Sequence, residues 1–151
     1  EGWRQGAHSI KWFVDNEDFK NGRNQSNDLP LIRYADILMI KAEAITRGAT
    51  ATKGDTPLSL FNQIRSYVTA PTIDHNPSLD EIYEERGREF FDENLRRIDM
   101  IRFGHFEDEY GFHKQGFQNA KFDKFRRIFP LHKANQLDTN PTWKQNPGYS
   151  K

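Results

Sequence analysis

The feature that most limits what this chain can fold into is the proline spacing of its C-terminal segment, Phe129 to Tyr149. Pro130, Pro141 and Pro147 each lack a backbone donor and push the residue before them toward extended geometry. The steps Asn140-Pro141 and Asn146-Pro147, followed by Gly148 and Tyr149, exclude a continuous helix or a central strand. Phe129, Leu131, Leu137, Trp143 and Tyr149 nevertheless offer apolar side chains at intervals. The segment therefore reads as an ordered extended wrap over a body, with Trp143 and Tyr149 packing inward.

Upstream, the dominant signal is helical. From Arg33 to Arg47, the residues Tyr34, Ala35, Ile37, Leu38, Ala42, Ala44 and Ile45 recur at helical spacing, and Gly48 is a natural stop. Thr56 followed by Pro57 is a cap with proline at the first helical position, and Phe61, Ile64 and Val68 mark the expected buried stripe. Ser78 and Glu81 form a capping box that opens a third helix. It is expected to run through Leu79, Ile82, Tyr83, Arg86, Phe90 and Phe91 to about Asn94. A fourth helical segment, Leu95 to Phe103, stops at Gly104. Ser9 to Val14 is a strand candidate, and a short hairpin around Tyr110 and Gly111 is the most that the irregular stretch His105–Arg127 offers. The expectation is one domain, 1–151: a loop-rich lead-in (1–30), a helical body (31–104), then an irregular segment and the tail (105–151).

Composition excludes several partners. Lys plus Arg and Asp plus Glu both number 22, so bulk charge recruits neither nucleic acid nor an anionic membrane. No cysteine is present, which removes disulfides and thiolate metal sites. Twelve Phe, five Tyr and three Trp argue for an ordered, packed chain. The chain begins at Glu1 without Met, and the expectation is an excised or processed piece whose targeting information lies upstream.

The densest charged stretch, Glu84 to Asp99, pairs on an ideal helix as Glu84 with Arg88, Asp92 with Arg96 and Glu93 with Arg97, while Asp99 meets Arg102. Two of its carboxylates could serve as acid and base of a glycosidase, but neighbours on one helix cannot flank a sugar from opposite faces. Nearby cations also hold such carboxyls ionised. A structural ion-pair network of Glu85, Arg88, Glu89, Arg96 and Asp99 is the expected reading, without catalysis. The five histidines show no ligand spacing, so no metal is expected. The Asn- and Asp-rich run 15–28 lacks the order of a calcium loop, and Asn24-Gln25-Ser26 fits a glycosylation sequon. Lys121 to Lys133 interleaves cations with Phe122, Phe125 and Phe129, and reads as a packed segment with its charges at the surface. Trp3, Trp12 and Trp143 either fill packing gaps or stack on a sugar ring.

Three stretches together resemble the SusD/RagB family, the surface glycan-binding lipoproteins of Bacteroidetes. They are the helix Leu29-Pro30-Leu31-Ile32-Arg33-Tyr34-Ala35-Asp36 through Ala44, the run Glu85-Arg86-Gly87-Arg88-Glu89-Phe90 through Arg96, Asp99 and Gly104, and the tail. Gly87 stands where the family has Arg, Asp92 for an aromatic, Asn94 for Gly, Arg97 for Trp, and His132 for a second Pro. Gly87 should cost its helix about 1 kcal/mol relative to Ala, which points to close packing there.

The resemblance implies a mainly α fold with tetratricopeptide-like helix hairpins, long irregular loops and the extended C-terminal wrap. It implies a non-catalytic outer-membrane, cell-surface protein that binds glycan and hands it to a SusC-like TonB-dependent transporter for nutrient uptake. The chain resembles the C-terminal portion of such proteins, with the lipid anchor in an N-terminal part that it lacks, and no cofactor is implied. The family's motif residues in the ion-pair helix and the tail are architectural and its sugar contacts come from variable loops, so no ligand residue transfers by motif. Trp3, Trp12, Asn16 and Arg23 are candidate ligand residues on their aromatic and polar chemistry alone. A protein-docking module contacting the transporter, or a binder of peptide or another nutrient, remains open.

Overall fold

The computed structural model describes residues 11, 12, 28, 30–107 and 123–150. Among them the chain is mainly α: α1 (Tyr34–Thr46), α2 (Pro57–Tyr67), α3 (Leu79–Glu89) and α4 (Arg96–Phe103), with no strand. It forms two compact units, Glu1–Arg96 and Arg97–Lys151. The strand candidate, the hairpin at Tyr110-Gly111 and the sequon lie outside the described residues.

Local chemistry sets the helix ends of the first unit. α1 starts after Arg33, whose backbone is extended, and stops where Gly48 turns to φ +103°. At α2, the Thr56 hydroxyl accepts from the Ser59 amide at 3.0 Å while the Ser59 hydroxyl accepts from the Thr56 amide at 3.0 Å. At α3, the Ser78 hydroxyl accepts from the Glu81 amide at 3.2 Å, and the Glu81 carboxylate accepts from the Ser78 amide at 2.8 Å. Such reciprocal caps satisfy two otherwise orphaned donors.

α1 packs against both α2 and α3. The core comprises Leu38, Met39 and Ala42 from α1, Leu60, Phe61 and Ile64 from α2, and Ile82, Tyr83 and Phe90 from α3 and its cap. Each large side chain buried there contributes about 1.5–3 kcal/mol. The buried stripe expected for α2 is one residue too long. Val68 caps α2 and is 49% exposed, and α1 buries Met39 while leaving Tyr34 69% and Ile37 50% exposed. α1 is apolar around most of its circumference, so periodicity alone did not identify the buried arc.

The third helix is shorter than expected. It ends at Glu89, with Phe90 as its cap, followed by turns rather than further helix. Asp92 and Asn94 adopt φ +62° and +61°, a left-handed conformation that Asp and Asn tolerate best after glycine. That accounts for Asn94 at a family glycine position. Phe91, off the helix, is 58% exposed.

In the second unit, Gly104 ends α4 at φ +86°. Arg97 occupies a family tryptophan position with a planar group of its own. Its guanidinium lies 4.2 Å from the Phe129 ring centroid and 5.4 Å from that of Phe106, and it donates to the Arg126 carbonyl at 2.7 Å. The tail is held by side chains bonding backbone. Gln145 accepts from the Leu131 amide at 2.8 Å and donates to the Leu131 carbonyl at 2.9 Å, as a paired strand would. Asn146 donates to the Phe129 carbonyl, and the Tyr149 hydroxyl to that of Ile128, each at 2.8 Å. Tyr149 meets Phe125 edge-on, with centroids 4.9 Å apart.

The tail also departs from expectation. Lys133–Leu137 forms a single π-helical turn, which is possible because the prolines lie outside it. His132, where the family has proline, uses the amide proline would lack to donate to the Gln136 side chain at 2.8 Å, and its ring caps the turn. Trp143 is 49% exposed rather than packed inward, since hydrogen bonds and not this ring anchor the segment.

Candidate functional site

The C-terminal end of α3 gathers cations. A helix leaves its last carbonyls unpaired and its dipole negative at that end. The Glu89 carbonyl accepts from Lys11 Nζ at 2.6 Å and from Arg33 Nη2 at 3.2 Å. Arg33 also grips Glu93 with both arms of its fork, Nε to Oε2 at 2.8 Å and Nη2 to Oε1 at 2.7 Å, and reaches Glu89 Oε1 at 2.8 Å. Lys11 also pairs with Glu93. Burial would raise the Glu93 pKa, but hydrogen bonds from Arg33 and Lys11 outweigh it and hold the carboxyl below its ordinary value. The Glu93 hydrogen bond in turn raises that of Arg33. The guanidinium groups of Arg33 and Arg86 lie 5.1 and 4.9 Å from the Phe90 ring centroid, and Arg86 pairs with Asp36 at 2.8 Å.

Trp12 belongs to this cluster. Its indole N–H donates to the Asp92 carbonyl at 3.2 Å, while the side chain remains 37% exposed. The bond fixes one edge of the ring and leaves part of it open. Trp3, Asn16 and Arg23 lie outside the described residues.

The charged residues of the run Glu84–Asp99 do not form one ladder. Glu85 accepts from Arg88 at 2.7 Å and from Arg65 of α2 at 2.6 Å. Arg96 reaches back to Glu84 at 3.3 Å, and Asp99 pairs with Arg102 at 3.1 Å as expected. Within α3, Arg88 turns to Glu85 instead of Glu84, while the expected pairings Asp92 with Arg96 and Glu93 with Arg97 are lost because the left-handed turn at Asp92 and Asn94 breaks the helical register. Sequence reasoning missed Arg33, Lys11, Arg65 and Asp36 as partners.

Between α1 and α2 lies a groove of about 610 Å³ lined by Arg33, Tyr34, Ala35, Leu38, Gln63, Ile64, Ser66, Tyr67 and Glu89. It shares Arg33 and Glu89 with the cluster at the end of α3. Among the described residues no group of His, Asp and Glu could hold a metal ion, and no helix is long and apolar enough to cross a membrane.

The family model described as "SusD family" matches residues 2–149, nearly the whole chain. The chain belongs to the SusD family. A curated SusD-family relative, the starch-binding protein SusD of Bacteroides thetaiotaomicron, is 26% identical over 154 residues. That alignment covers 98% of this chain and 27% of the relative, so the chain spans about a quarter of the relative's length. In a SusD-family chain, the left-handed Asn94, the Gly104 stop and the Gln145-Asn146-Pro147-Gly148-Tyr149 lock are parts of the framework.

Proposed function

We propose that this chain is part of a non-catalytic binding protein that captures oligosaccharide at the cell surface and passes it to a SusC-like TonB-dependent transporter in the outer membrane. The observation that carries the reading is the SusD-family match over residues 2–149. The relative named for starch binding supports a glycan as the ligand. The site chemistry agrees: carbohydrate rings dock an apolar C–H face on an aromatic plane, and Trp12 offers a tethered, partly open ring. The carboxylates of the same cluster, Glu89 and Glu93, are engaged by Arg33 and Lys11, which suits recognition and not proton transfer. A lipid anchor carried elsewhere in the protein would hold it to the membrane. Trp3, Asn16 and Arg23 are proposed as further ligand residues from the same lead-in segment, and the tetratricopeptide-like pairing of the helices remains part of this proposal.

Affinity electrophoresis of the intact protein through gels containing starch, xylan or β-glucan tests the reading. Slower migration in at least one gel supports it. Unchanged migration in all of them, or activity that cleaves the polysaccharide, contradicts it. Copurification with the transporter tests the hand-over.

A further inference from the structure

Resting on the glycan reading, we propose that the groove between α1 and α2 is a second sugar subsite, distinct from Trp12, in which Tyr34 and Tyr67 bracket a pyranose ring. The two rings stand 69% and 90% exposed at the groove. Leu38 and Ile64 form the apolar floor. Gln63 and Ser66 lie on the groove from the last turns of α2, and among the described residues no hydrogen bond engages the Gln63 amide or either tyrosine hydroxyl. An amide, with one acceptor and two donor hydrogens, matches the adjacent hydroxyls of a sugar, which both donate and accept. Arg33 and Glu89 close one end with their charges already paired, so a neutral polyol meets no unbalanced charge there. At about 610 Å³ the groove falls within the ordinary range of small-ligand sites, about 300–1,000 Å³.

A docking face for another helix would look different. The aliphatic part of the outer arc of α1, Ile37 and Ile40, would suit one, but both residues lie outside the groove. What lines the groove instead is two amphipathic rings with uncommitted polar groups around a narrow apolar floor.

The test uses the intact protein and whichever of starch, xylan or β-glucan retards it. Tyr34→Ala combined with Tyr67→Ala is expected to weaken the apparent affinity about tenfold, the scale of one or two lost stacking contacts. Tyr34→Phe with Tyr67→Phe should keep most of the binding, and Gln63→Ala should weaken it about threefold, the scale of one neutral hydrogen bond. Thermal denaturation of each variant establishes that it is folded, as expected for side chains this exposed. If the wild type is retarded and the double alanine variant binds equally well, the subsite is wrong while the glycan reading stands. Loss of folding, or loss of transporter copurification with glycan affinity intact, would make the groove a packing surface, and either overturns the subsite. If no polysaccharide retards the wild type, both readings fail together.

Discussion

Arg96 crosses α3 over Gly87, the one position on that face without a side chain. Its guanidinium lies 3.6 Å from the Tyr83 ring centroid and donates to the Tyr83 carbonyl at 2.7 Å. A Cβ on Gly87 would sit 2.6 Å from Arg96 Nη1. Alanine in a helix ordinarily gains about 1 kcal/mol over glycine. Here it displaces a cation–π contact and a charged hydrogen bond, together about 2 kcal/mol. Gly87→Ala should therefore destabilise by about 1 kcal/mol, yet stabilise by about 0.5–1 kcal/mol in an Arg96→Ala background. Urea unfolding of the four proteins reads the sign change. Stabilisation in both backgrounds would disprove the account of Gly87.

Arg33 is the keystone of the cluster at the end of α3. The Glu93 side chain is 5% exposed, and among the described residues removing Arg33 leaves that carboxylate only Lys11. Arg33→Ala should cost about 2–3 kcal/mol. Arg33→Lys should recover less than half of it, because an ammonium cannot make the two-armed contact. Chemical denaturation checks both, and full recovery by lysine would show that charge alone, without geometry, holds Glu93.

The N-terminus of α3 carries a pH dependence. Hydrogen bonds from the Ser78 amide, then His75 and the Ser78 hydroxyl, lower the Glu81 pKa from 4.5 to about 2. Its stabilisation is present above pH 4.5 and is lost as the pH falls toward 2. His75 is shifted the other way, raised above 6.5 by Glu81 and then Asp74. That contribution is complete below 6.5 and fades as the pH rises through the folded-state value. His75→Gln should therefore lower Tm at about pH 5.5 and converge with the wild type at alkaline pH. A Tm difference constant across that range would remove His75 from the explanation.

Gly148 and Gly104 share a left-handed backbone, φ +89° and +86°, in different surroundings. A Cβ at Gly104 meets open space, whereas one at Gly148 runs into the Phe125 ring. Gly104→Ala should cost about 1 kcal/mol of backbone strain, and Gly148→Ala should exceed it by about 1–2 kcal/mol. Hydrogen exchange in the tail should rise only in the second variant. Equal costs would mean that the Phe125–Tyr149–Gly148 contact does not hold the tail.

What the sequence revealed was what neighbours decide. Ser78 with Glu81, Thr56 with Pro57, and the stops at Gly48 and Gly104 depend on residues within a turn of one another, and each was legible. Arg33 with Glu93, Arg86 with Asp36, and Arg65 with Glu85 were not, because their partners are chosen by helix packing across 60, 50 and 20 residues. The early end of α3 was missed because Asp92 and Asn94 reach the left-handed turn without glycine. Asn94 at a family glycine position was the available clue. Trp12 was visible as an aromatic in a polar lead-in, but its tether to Asp92 required the fold to bring together residues 80 positions apart. Tyr34 and Tyr67 went unnoticed as a pair because each ends a stripe on a different helix.

The most direct test of the central claim is polysaccharide affinity electrophoresis of the intact protein alongside Trp12→Phe and Trp12→Ala. The wild type should be retarded by at least one of starch, xylan and β-glucan. Trp12→Phe, which keeps an aromatic face and loses the N–H, should retain most of that retardation, while Trp12→Ala should lose it. Wild-type migration unchanged in every gel would contradict glycan capture, and equal retardation of all three proteins would take Trp12 out of the binding site.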